Sequence, residues 1–138
     1  MTTLTTTTLQ TTQHILDSFT RGDIPAILAT NAPNVQWIHP GDPGIVPFAG
    51  TFNNIEGAVQ FFQGIGQSVQ VTAFEPRSFR EEGNVIHAEV RIAGVGLATG
   101  KTYENVVEMA FTYNDDGQLV RYEAFVDPTS LENALRLN

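Results

Sequence analysis

The sequence predicts an α+β domain in which helices from the first half pack on one face of a curved antiparallel sheet built from the second half. Three observations carry this reading. Apolar residues recur at helical spacing in three stretches of the first half, four alternating apolar runs follow between residues 69 and 126, and turn-forming residues separate those runs. At 138 residues the chain has the size of one domain, able to bury roughly 68–70% of the surface its unfolded form exposes.

The elements follow in order. Residues 1–12 hold eight threonines and no charge, which predicts a flexible arm over 1–11, or an added edge strand, ahead of a single domain over 12–138. From Thr12 to Arg21, Ile15, Leu16 and Phe19 share a helical face, and Gly22 stops the run. Asp23 then caps a short second helix with Pro25 in its first turn, carrying Ile24, Ile27 and Leu28 inward until residues 32–34 end it. A strand over Val35 to His39 is stopped by Pro40, and Gly41, Pro43, Gly44, Pro47 and Gly50 keep the chain irregular up to Asn53. Asn53, with Glu56 three residues on, has the capping-box pattern for a third helix with Ile55, Val59 and Phe62 on one face, Phe61 beside them, and an end near Gly64 or Gly66.

Strands are expected over 69–79, 84–92, 102–113 and 118–126. Glu81-Glu82-Gly83-Asn84 and Asn114-Asp115-Asp116-Gly117 form turns, and a longer connection spans Gly94 to Gly100. Asp127 as N-cap and Pro128 as the first helical residue start a last helix carrying Leu131, Ala134 and Leu135.

Composition narrows the partners. Fifteen acidic residues against seven basic ones, with one lysine, give a net charge of −8, which disfavours nucleic acid and anionic membrane and suits a small neutral or cationic molecule. The absence of cysteine removes disulfides and a thiol nucleophile and argues against structural zinc. The three histidines lack metal-ligand spacing, and no phosphate loop, dinucleotide fingerprint or nucleophile elbow is present, so neither metal nor cofactor is expected. With no apolar run of about 20 residues and no signal-peptide pattern, a cytoplasmic location is the expectation.

The stretch WIHPGDPGIVPFAGTFNNIEGAVQFF, from Trp37 to Phe62, places a histidine at a strand end before a loop rich in proline, glycine and aromatics, the layout of a pocket mouth. Together with FTRGDIPAIL and VVEMAFTYNDDGQLVRYEAFVD, in this order and spacing, it resembles the nuclear transport factor 2-like superfamily over residues 12–137, in particular the SnoaL-like polyketide cyclases and the steroid ketoisomerases. The resemblance implies a cone-shaped sheet enclosing a pocket between its concave face and the helices, and usually a homodimer through the outer sheet face, where Val106, Ala110 and Thr112 offer little charge.

On the isomerase pattern, the general-base position is His39 in Trp37-Ile38-His39-Pro40, while the two oxyanion donors fall at Ile15 and Met109, which cannot donate. On the pattern of the superfamily's limonene-epoxide hydrolases, Glu89-Val90-Arg91 and Asp127 hold the charged positions, with acid and base exchanged. Asp127 can also simply cap the last helix. Tyr122 is placed inward by the isomerase comparison as a possible hydrogen-bond donor, or as core. Asn105 shares a face with Val107, Met109 and Phe111, either as a ligand contact or as an anchor. His87, Glu89 and Arg91 share one strand face, either a solvated surface or a polar cavity lining, and His14 belongs at the surface or rim.

The expected catalytic group is thus His39, Asp127 and Tyr122. The expected substrate contacts are Trp37, Phe48, Phe52, Phe61, Phe62, Asn105, Met109, His87, Glu89 and Arg91. The function these imply is cofactor-independent acid–base chemistry on a hydrophobic carbonyl compound. The alternatives are a binding or assembly domain without chemistry, and addition of water to an epoxide.

Overall fold

The computed structural model describes residues 7–137. Helix α1 (Thr8–Arg21) and α2 (Ile24–Leu28) lead into β1 (Asn31–His39) and β2 (Gly50–Asn53). After α3 (Asn54–Ser68) come β3 (Val69–Glu82), β4 (Val85–Gly96), β5 (Thr102–Tyr113), β6 (Leu119–Phe125) and finally α4 (Thr129–Leu135). The six strands form one curved sheet in the order β2-β1-β6-β5-β4-β3, with the helices on one face.

The four later strands form the expected antiparallel meander, and β5 has its expected bounds. The first strand was expected to be shorter and carries a surprise in its pairing, for β1 joins β6 in parallel, with Trp37 beside Tyr122. The short strand β2 was not foreseen. Its four residues pair back on β1, with Gly50 opposite His39, and the glycines and prolines around it hide so brief a run from any periodicity argument.

Helix α1 begins four residues before the expected start. Thr7 and Gln10 form a reciprocal capping box, so residues 8–11 are helical rather than part of an arm, and Thr12 is fully buried. The rest of the proposed arm, residues 1–6, lies outside the described residues. Thr12 Oγ1 donates to the Thr8 carbonyl at 2.8 Å, and so the Tyr113 hydroxyl, 2.6 Å away, is the donor of the bond that ties α1 to β5.

At the start of α3 the capping differs from expectation by one residue. The Asn53 side chain makes no cap and instead accepts from Gln36 Nε2, while Asn54, with φ 63°, accepts from the Gly57 amide at 3.2 Å. Two glycines of α3 bring neighbouring chain close. A Cβ on Gly57 would lie 2.9 Å from the Phe52 backbone, and one on Gly64 would lie 3.3 Å from Phe48 Cβ, so the helix gives up propensity to let β2 and the following loop pack against it.

Candidate functional site

Alternation along β1 turns Val35 and Trp37 into the core, where Trp37 is fixed by a polar relay. Its indole N–H donates to Asn31 Oδ1 at 2.8 Å, and Asn31 Nδ2 donates to the Ile27 carbonyl at 2.7 Å. With its only donor satisfied, Trp37 serves as a wall. Its ring lies 4.7 Å from that of Tyr122, 4.9 Å from Phe62 and 5.4 Å from Phe61, a packed aromatic cluster.

Between this cluster, α1, α3 and the inner face of β3–β6 is a cavity of ≈ 90 Å³, and the recess as a whole, counting space open to solvent, takes in ≈ 780 Å³. The walls are mostly aliphatic and aromatic. Among the described residues no lysine, arginine, aspartate or glutamate lines it, and its polar groups come from His39, Tyr103, Asn105 and Tyr122.

His39 ends β1 because Pro40 cannot continue the strand's hydrogen bonding. Its Nδ1 is 2.7 Å from the Pro40 carbonyl oxygen, which can only accept, so Nδ1 carries the proton and the neutral ring keeps its lone pair on Nε2. Nε2 has no hydrogen-bond partner among the described residues. Phe48 meets the imidazole edge-on at 5.1 Å. Burial among such neighbours holds the pKa below the ordinary 6.5, with the bond to Pro40 acting the other way.

Tyr122 stacks among Trp37, Phe61 and Phe111, and burial keeps its hydroxyl protonated far above neutral pH. Its hydroxyl, like the Asn105 amide, has no hydrogen-bond partner among the described residues. Tyr122 is buried and Asn105 half-buried, and both border the cavity. Phe48, Phe61, Phe62 and Met109 line the cavity, and so does Ile15.

Five expected site residues are elsewhere. Phe52 packs behind Phe61 at 5.8 Å and does not reach the cavity. His87, Glu89 and Arg91 point away from Ile86, Ala88 and Val90, which are the buried set on β4. On the outer face His87 Nε2 is 3.1 Å from Glu82, while its Nδ1, 3.3 Å from Glu108, is not aligned for a hydrogen bond. Arg91 bonds Glu104 at 2.8 Å and Glu75 at 3.2 Å, and Glu89 is exposed.

Asp127 is also exposed. Its Oδ1 accepts from the Thr129 amide at 2.9 Å and the Thr129 hydroxyl at 2.6 Å, which holds the carboxyl below its ordinary 3.8. It supports the start of α4, whose N-cap is Pro128, and takes no part in the cavity. The charged residues of an epoxide-hydrolase arrangement therefore do not converge. Among the described residues no three histidine, aspartate or glutamate side chains gather in a way that could hold a metal ion.

Among the polar groups of the lining, Tyr103 is the one the sequence reading did not name. Tyr103 stands two positions before Asn105 on the same face of β5, so the alternation that selected Asn105 also points to it. It is 8% exposed, and burial pushes its hydroxyl up to about 12.

Residues 12–122 match the family model of the SnoaL-like domain. No curated protein matches the sequence. Among solved structures, an NTF2-like protein of unknown function from Burkholderia pseudomallei superposes with a TM-score of 0.84 at 21% identity, over 93% of this chain and 96% of that one. An NTF2-like protein from Burkholderia thailandensis gives 0.84 at 24% identity, over 94% and 98%. TerC, crystallised with polyporic acid, gives 0.79 at 22% identity, over 93% and 97%. Likeness at this level of identity establishes the fold.

Proposed function

The chain belongs to the SnoaL-like domain family, and from that premise we propose that it takes a small, uncharged, largely apolar carbonyl compound into the cavity and performs acid–base chemistry on it without a cofactor. One observation carries the reading: the Pro40 carbonyl fixes the His39 proton on Nδ1, so a cavity-lining imidazole has a free Nε2 lone pair. Nε2 would take a proton from the carbon next to the substrate carbonyl, the C–H electrons forming the new C=C bond as the carbonyl electrons move to oxygen. Tyr122 or Asn105 would donate a hydrogen bond to that developing enolate, and the imidazolium would return the proton elsewhere on the substrate. That TerC was crystallised with polyporic acid supports looking among small organic molecules.

The test is incubation of the protein with a panel of apolar ketones, lactones and epoxides, followed by mass spectrometry and, for isomers, chromatography. Turnover that disappears in His39→Ala while the fold is retained supports the proposal, and turnover retained in that variant removes His39 from the chemistry. A second reading, ligand binding without chemistry, is favoured by Ile15 and Met109, which line the cavity where the isomerases have their oxyanion donors. It predicts stabilisation by a ligand recovered unchanged.

We further propose that the protein works as a homodimer through its outer sheet face. Val106 and Phe125 are 49% and 50% exposed there, within a frame of ion pairs. Sedimentation that finds only monomer at high micromolar concentration would refute this.

A further inference from the structure

The polar groups of the cavity are spread along the sheet. Tyr122 pairs with Phe111, and His39, two residues beyond the Trp37–Tyr122 pair, is level with Ala124 and hence with Met109. Tyr103 and Asn105 stand at the other end of the cavity-lining stretch of β5, beyond Val107. The cavity thus has two polar ends with an apolar middle.

The far end is built into the fold by Gly94, the register partner of Tyr103 on β4. A Cβ there would lie 2.8 Å from Tyr103 Cε1 and 2.9 Å from its hydroxyl, so the tyrosine ring occupies the space a side chain would need. The hydroxyl so placed has no partner among the described residues, and neither has the Asn105 amide. These two groups border the same cavity as His39, and each has hydrogen-bonding capacity left for what enters it.

We propose that Tyr103 and Asn105 form a second recognition point, and that the ligand is an uncharged molecule with a hydrogen-bond-accepting oxygen near each end of an apolar body. One oxygen meets Tyr122 and His39, and the other meets Tyr103 and Asn105. The inference rests on the proposed function and specifies its ligand class. An ionised ligand is excluded because no charged side chain among the described residues lines the cavity to offset its desolvation.

The test uses two sets of ketones of matched shape: cyclohexanone against cyclohexanedione with its ketones on opposite ring carbons, and bicyclohexyl with one far-end ketone against bicyclohexyl with both. Occupancy is read from the fluorescence of Trp37, the single tryptophan, which lines the cavity. In at least one set the diketone should bind about tenfold more tightly than the monoketone, as one added hydrogen bond at the upper end of the usual range implies. Tyr103→Phe should bring the diketone to the affinity of the monoketone. Equal binding of monoketone and diketone, or equal weakening of both by Tyr103→Phe, would overturn the second recognition point while leaving the cavity a ligand site. Failure of every ketone in both sets to bind would overturn the proposed function itself.

Discussion

Three buried tyrosines border or support the cavity, and replacing each with phenylalanine should separate structural hydroxyls from those held for a ligand. The Tyr113 hydroxyl donates to Thr12 at 2.6 Å, inside the protein, and joins α1 to β5. Its removal forfeits one buried hydrogen bond, about 1 kcal/mol. With an unfolding entropy of about 2.1 cal/mol/K per residue, a chain of 138 residues loses about 3 °C of Tm for each such kcal/mol. The hydroxyls of Tyr103 and Tyr122 have no partner among the described residues, so Tyr103→Phe and Tyr122→Phe remove a desolvated polar group and give up no internal bond. Without ligand, both variants should melt at or above the wild-type temperature, by up to a similar few degrees. Differential scanning calorimetry at fixed pH and concentration measures all three. A loss in Tyr122→Phe or Tyr103→Phe as large as that in Tyr113→Phe would refute the reasoning, because the hydroxyl would then be serving the fold.

Glycine substitutions should diverge by position. Gly94→Ala sets a Cβ 2.7 Å from the Gln70 carbonyl and against Tyr103, and should cost about 1–3 kcal/mol, while Gly66→Ala, in α3 with open space around it, should gain roughly 0.4–1 kcal/mol in the same melts. Burial holds the folded-state pKa of His39 below 6.5, so the unfolded chain binds its proton first. The stability His39 contributes is therefore complete above about pH 6.5 and lost as pH falls toward the folded value, a slope that denaturant titrations should find flattened in His39→Gln. Any turnover should likewise decline on the acid side, below pH 6.5. Asp127→Ala should lower Tm at neutral pH, with the difference fading as pH falls below 3.8 through the folded-state value, since the wild-type carboxylate then also loses its charge. Turnover surviving in this variant is the expected companion result, and its abolition would restore Asp127 to the chemistry.

Much of this architecture was legible in the chain. Periodicity located the three longer helices and all four strands of the meander, with Thr102 and Tyr113 marking the ends of β5, because burial of one face imposes a spacing that each element shows by itself. The same rule turned Asn105 and Met109 inward, and Pro40 marked His39 as the end of its strand. Signals that depend on a few residues were less secure. Thr7 and Gln10 extend α1 into what looked like an arm, Asn54 replaces Asn53 at the head of α3, and β2 exists only because β1 offers it an edge.

The site needed the tertiary structure. Alternation divides β4 into Ile86, Ala88 and Val90 against His87, Glu89 and Arg91, but the polar set lay open to either reading until the sheet's pairing put Glu75, Glu104 and Glu108 beside it on the outside. Asp127 was open to capping, chemistry or both, and in the fold it stands one residue outside the Pro128 N-cap, bonded to Thr129 and away from the cavity. By itself the sequence determined which residues are apolar, which face each one takes along its own element, and that a histidine ends the first strand. Only the tertiary structure decided that Tyr113 has a partner in Thr12, while Tyr103, Asn105 and Tyr122 face a cavity without one. Side-chain periodicity is a local property of the backbone, whereas the satisfaction of a buried polar group depends on what stands across the fold from it.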